Sequence, residues 1–134
     1  MTDTFGRLLY NGQQHAEWQY VRRTLNEYSQ GPTNGVANNE IRCYEKTPGD
    51  TSTSTLPVTA GSKIGFKASN TVGHPGPTAF YMAKVPSGQT AKTWNGEGAV
   101  WFKIWDEETS FATGGPTWPI SQGMLTQITR FCKS

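Results

Sequence analysis

Polar and apolar residues alternate over two stretches of this chain, and a period of two marks half-buried strands. From Ser62 to Ala68, Ile64, Phe66 and Ala68 take one side while Lys63 and Lys67 take the other. Further on, Val100, Phe102 and Ile104 alternate with Trp101, Lys103 and Trp105. Thr78 to Lys84 reads as another strand. Thr4 to Tyr10 reads as a first strand that stops at Asn11-Gly12, a dipeptide suited to a tight hairpin. Trp18 to Arg22 is expected to be a short extended piece, and Ile41 to Glu45 to resume strand character around Cys43. The polar, Gly- and Pro-containing run from Asn26 to Asn39 predicts a long surface loop carrying Tyr28. Ser87 to Asn95 predicts a turn of helix ahead of Asn95-Gly96. Short strands separated by turn signals, with no internal repeat, predict an all-β antiparallel sandwich in one domain spanning 1–134.

Composition supports that architecture. Only 34% of residues are hydrophobic and 16% charged, with 15 Gly and 8 Pro, which suits short strands and turn-rich loops better than a helical bundle. Five Trp, six Phe and five Tyr supply large apolar groups for a core, which argues against disorder. A net charge of +2 is too small for an electrostatic hold on nucleic acid, and Arg22-Arg23 is an isolated pair on a solvated face. No apolar run approaches the roughly 20 residues that span a bilayer. Met1 to Phe5 lacks the basic and apolar regions of a signal peptide. Cys43 and Cys132 are the two cysteines; a bridge between them would close a loop worth about 4 kcal/mol. Sequence does not show that they meet.

The candidate chemistry centres on His74-Pro75-Gly76-Pro77, an imidazole in a bend stiffened by proline and flanked by Gly73 and Gly76. A neutral imidazole at a sheet edge suits copper or zinc, while a turn histidine capping the backbone is the ordinary reading of such a residue taken alone. Asp106-Glu107-Glu108 is not read as a glycosidase pair, because such acids face each other across about 5 to 9 Å, whereas adjacent strand residues point opposite ways. Gly96-Glu97-Gly98 has no lysine or helix start behind it and is not a phosphate loop. His15, after the Asn11-Gly12 turn, is expected to face solvent. Trp101, Trp105 and Trp118 are expected to pack within or between sheets.

Five collinear stretches together carry a resemblance. They are Leu9-Tyr10-Asn11-Gly12, Trp18-Gln19-Tyr20-Val21-Arg22, Ile41-Arg42-Cys43-Tyr44, the central run from His74 through Phe80-Tyr81-Met82-Ala83-Lys84 to Val100-Trp101-Phe102-Lys103-Ile104, and Thr117-Trp118-Pro119. In this order the chain resembles the fungal lytic polysaccharide monooxygenases of auxiliary activity family 9, over roughly residues 4 to 119.

The resemblance implies an immunoglobulin- or fibronectin-like antiparallel β-sandwich with long loops and an enlarged flat face. It implies one copper ion, an external reductant, and oxygen or peroxide. It implies oxidative cleavage of cellulose or a related β-1,4-glucan at C1 or C4, by a secreted, extracellular monomer. In the family, copper is held by the first residue of the mature chain, a histidine giving its amine and its ring, and by a second histidine in a loop, with a tyrosine lying axially. His74 falls on that second histidine and becomes the candidate metal ligand and catalytic residue. Tyr20 and Tyr28 become candidates for stacking on sugar rings, with packing onto the sheet as the alternative.

Laid on the first strand, the family's leading histidine falls at Thr2. The family's C-terminal third, which carries the axial tyrosine and the partner of the cysteine matching Cys43, has no counterpart after Met124. The chain is therefore expected to be an incomplete piece lacking the last strands. A catalytically incomplete sandwich that at most adsorbs to polysaccharide is the alternative reading.

Overall fold

A computed structural model describes residues 4–27, 31, 33–35, 37, 40, 44–47, 50–69, 72, 74–107, 109–118 and 127–128. These form eight strands and, among the described residues, no helix: β1 (Arg7–Tyr10), β2 (Gln13–Gln14), β3 (Ile64–Lys67), β4 (Ala79–Ala83), β5 (Trp101–Asp106), β6 (Ser110–Ala112), β7 (Gly115–Thr117) and β8 (Gln127–Ile128). One sheet has the order β2-β1-β3-β8, β4 pairs with β5, and β6 pairs with β7. Every pairing is antiparallel. The all-β sandwich expected from the strand pattern is what forms.

Local chemistry accounts for the first sheet. Asn11 (φ 48°) and Gly12 (φ 82°) both take left-handed backbone, the requirement of a two-residue hairpin whose twist matches the flanking strands. Tyr10 therefore pairs with Gln13, and the His15 amide closes the ladder on the Leu8 carbonyl at 2.9 Å. On its other side β1 pairs with β3, placing Leu8 opposite Phe66 and Tyr10 opposite Ile64. The first strand is shorter than Thr4 to Tyr10, but the Ser69 amide still reaches the Thr4 carbonyl at 2.8 Å.

The core runs from this sheet to the next. Leu8 is 5% exposed. Phe66 of β3 stacks on Phe80 of β4 at 5.9 Å, and Phe80 meets Trp105 of β5 at 5.5 Å. The pairing of β4 with β5 explains why both rings share a face. Its register shifts between Phe80 and Tyr81, so Phe80 lies opposite Trp105 while Tyr81 lies opposite Lys103. The simple alternation expected from Val100 to Trp105 is broken at this bulge. One extra residue re-aims Trp105 toward the Phe66 sheet.

Two expected elements take other forms. Trp18 to Arg22 is a turn, not an extended piece. Trp18 sits at φ 61°, donates its amide to the Gly6 carbonyl at 2.8 Å, and buries its indole. A Cβ on Gly6 would meet Trp18 Cε2 at 3.3 Å, so the glycine admits the ring. Around Thr90 to Trp94 the chain turns once, with the Thr93 and Trp94 amides both on the Thr90 carbonyl at 3.0 Å, but it does not propagate as helix. From the expected strand Ile41 to Glu45, Ile41, Arg42 and Cys43 lie outside the described residues, and Glu45 makes an isolated antiparallel bridge with Thr24. The β6–β7 hairpin around Thr113-Gly114 was not foreseen; Gly115, at φ 104°, was its available signal.

Candidate functional site

His74 lies in the segment between β3 and β4 and is half-buried. The strand entry beyond it is anchored by the Glu107 amide, which donates to the Thr78 carbonyl at 2.8 Å, beside the Ala79–Asp106 pair. Pro75-Gly76-Pro77 thus leads into a strand whose start is held by that bond. Gly76 has open space around a hypothetical Cβ and no left-handed φ, so proline alone stiffens that position.

Tyr20 is placed elsewhere, in the Trp18 turn. Its ring meets His15 edge-on, with centroids 4.9 Å apart and planes at 88°. That contact overturns the expectation that His15 faces solvent. The imidazole is half-buried, and Nε2 is buried with no hydrogen-bond partner among the described residues. Tyr20 also lines an apolar groove of about 270 Å³ floored by Leu8, Ile64 and Phe66 and edged by Leu56 and Val58. Tyr28, Cys43 and Cys132 lie outside the described residues.

Arg22 ties this turn to the segment before β5. Its Nη1 donates to Glu45 Oε1 at 2.8 Å, and its Nη2 to the carbonyls of Ala91 at 2.7 Å and Trp94 at 2.6 Å. Trp94 in turn stacks on Trp101 at 5.5 Å and 19°. The two indole N–H groups donate to the Glu97 carbonyl (from Trp94) and the Gly96 carbonyl (from Trp101). A second groove, of about 280 Å³, runs along Met82, Ala83, Val85, Trp94 and Trp101, and Arg22 lines both grooves.

The acid that ends β5 is held in an ion pair. Asp106 accepts from Lys103 Nζ at 2.6 Å, and this bond holds the ammonium above its usual pKa. Glu27 gathers Lys46 Nζ at 2.7 Å and Arg23 Nη1 at 3.3 Å, which together hold its carboxyl below the usual range.

Among the described residues no group of three or more His, Cys, Asp and Glu side chains is placed to hold a metal. The amino terminus lies outside the described residues. The described donor set therefore offers His74 as one imidazole and does not complete a three-nitrogen copper site.

The sequence pattern of Auxiliary Activity family 9 (formerly GH61) matches residues 3–130. The chain is 48% identical over 126 residues to the AA9 family lytic polysaccharide monooxygenase H of Malbranchea cinnamomea, covering 94% of this chain and 54% of that protein. It is 46% identical over 119 residues to the AA9 family lytic polysaccharide monooxygenase A of Thermothielavioides terrestris, covering 88% of this chain and 51% of that protein. It is 44% identical over 110 residues to monooxygenase F of the same family from Neurospora crassa, covering 82% and 47%. The chain spans about half the length of these relatives.

Proposed function

Because the chain belongs to auxiliary activity family 9, we propose that it is the His74-bearing part of a copper-dependent enzyme that cleaves cellulose or a related β-1,4-glucan by oxidation at C1 or C4. The observation that carries the reading is the match over residues 3–130 to a family whose named relatives are lytic polysaccharide monooxygenases. The position of His74 supports its role as ligand: a half-buried imidazole ahead of β4, in a segment stiffened by two prolines. When bound, copper would supply the redox chemistry that activates oxygen or peroxide. Among the described residues, His74 would contribute one ring nitrogen.

The groove ring of Tyr20 is half-buried against His15, which favours a packing role, and its role in sugar stacking rests on the resemblance alone. The proposed setting is an extracellular one, as a monomer on a glucan surface. The alternative reading is a catalytically incomplete sandwich piece that at most adsorbs to polysaccharide.

Copper titration and product analysis separate the two. Soluble oxidised oligosaccharides released from cellulose after ascorbate and copper are added, and lost in His74→Ala, support the oxidative reading. Absence of product, together with copper affinity that His74→Ala does not change, supports the second.

A further inference from the structure

Hydroxyl groups are concentrated at residues 51–59. Thr51, Ser52, Thr53, Ser54, Thr55 and Thr59 make up six of the nine, with Leu56-Pro57-Val58 between them. A run rich in serine and threonine and containing proline is the composition of O-glycosylated segments. Geometry decides which of these hydroxyls can accept a sugar. The segment belongs to no strand or helix. At its start the Ser52 amide and hydroxyl both donate to the Asp50 carboxylate, at 2.8 and 2.7 Å. The Ser54 amide donates to the Gln19 carbonyl at 2.9 Å, which holds that residue against the Trp18 turn. The Thr59 amide donates to Tyr10 Oη at 3.3 Å and ties down the far end. Pro57 fixes its own φ and keeps Leu56 extended, so the chain leaving Thr55 does not coil.

A glycosyl acceptor must bring its hydroxyl to a general base in another protein's cleft, so it has to be exposed with its proton uncommitted. Ser52 gives its proton to Asp50, Thr53 is half-buried, and Ser54 is fastened by its amide. Thr51 and Thr55 are exposed, and their hydroxyls make no hydrogen bond among the described residues. Other hydroxyls are spent inside the fold. Thr4 donates to the Glu27 carbonyl at 2.7 Å, Ser69 to Glu17 at 2.8 Å and Ser62 to the Thr59 carbonyl at 2.5 Å, while Thr90 and Thr93 bond each other at 3.1 Å.

We propose that Thr51 and Thr55 are sites of O-glycosylation. Each Oγ1 attacks the anomeric carbon of an activated glycosyl phosphate held by a glycosyltransferase of the secretory route. The new Oγ1–C1 bond replaces the C1–O bond to phosphate, which leaves with the bonding electrons. The hydroxyl proton passes to the transferase's base, and nothing is oxidised or reduced. The inference rests on the extracellular setting proposed above and on no copper or cleavage step.

The test sends the full chain through the secretory route of a filamentous fungus behind a supplied leader, with the chain made in bacterial cytosol as reference. Protein is taken from the medium and from internal membranes, so retention does not hide the product. Because the leader supplies the route, the sugar map is read whether or not cellulose is cleaved. The chain has no Asn-x-Ser/Thr acceptor, so sugar found on it is O-linked. Intact mass should rise by whole sugar residues over the bacterial chain, and alkaline β-elimination should remove the rise. Electron-transfer fragmentation should place the sugar on Thr51 and Thr55. The double variant Thr51→Val/Thr55→Val should lose it, and Ser52→Ala should keep it. An unmodified 51–59 peptide overturns the proposal, as does sugar confined to Ser52, Thr53, Ser54 or another segment. Sugar that survives in the double variant, or phosphate in place of sugar on these hydroxyls, does the same.

Discussion

Replacing Arg22 with alanine should unfold this chain more readily than its surface position in the sequence would indicate. The guanidinium is 19% exposed and its partner Glu45 carboxylate 5%. Losing one partner of a buried ion pair typically costs about 3–5 kcal/mol, because the remaining charge is left without compensation. Partial access of water to Arg22 places this pair near the lower end, at about 3 kcal/mol. The Ala91 carbonyl is at the surface and can turn to water, while the part-buried Trp94 carbonyl loses a charged donor and adds about 1 kcal/mol. With a urea dependence of about 2 kcal/mol per molar, the denaturation midpoint should fall by roughly 1.5–2 M.

The assay is urea unfolding followed by tryptophan fluorescence, with Trp94 reporting from the clamped segment. Arg22→Lys should recover less than half of the loss, since an ammonium cannot fork between a carboxylate and two carbonyls. The double variant Arg22→Ala/Glu45→Ala should be more stable than Arg22→Ala alone, because it removes the stranded carboxylate. A midpoint shift under about 0.5 M for Arg22→Ala, or full recovery by lysine, refutes the clamp.

Leu8→Ala should cost about 3 kcal/mol in the same assay, given a side chain 5% exposed between Phe66 and the first groove. Gly12→Ala should cost about 1 kcal/mol through its φ of 82° alone, since no atom lies within 4 Å of the added Cβ. The Glu27 carboxyl has a folded-state pKa below its ordinary 4.5, through Lys46 first and Arg23 second, so folding favours its charged form. That contribution is complete above the unfolded-state pKa and disappears as pH falls through the lower folded-state value. Stability measured from pH 6 down to pH 2 should therefore fall less steeply in Glu27→Gln than in the parent, and identical slopes would count against the triad.

Local rules explain why parts of the architecture were legible in advance. The Asn11-Gly12 hairpin needs only two residues that accept left-handed backbone, and both are adjacent in the chain. Alternation across Ile64 and Phe66 is a property of one strand, and both pair into β1 as expected, although the strand is Ile64–Lys67 and not Ser62 to Ala68. The family resemblance was likewise carried by short collinear stretches, and the comparisons bear it out. The β4–β5 bulge was not legible, because it depends on which residue of β4 faces which residue of β5. His15 looked solvent-facing from its neighbours alone and is instead half-buried against Tyr20, since the Trp18 turn folds back over the hairpin.

By itself the sequence determined a β-rich chain of one family, with its first hairpin, its main strands and a proline-rich segment that carries His74. Those follow from backbone preferences and side-chain periodicity over a few residues. Only the tertiary structure decided that Arg22 would bond carbonyls 69 and 72 positions away, that Trp105 would turn toward Phe80, and that Phe102 would be left half in water. Contacts of that range depend on how separate layers meet, and burial is a property of the assembled layers rather than of any segment.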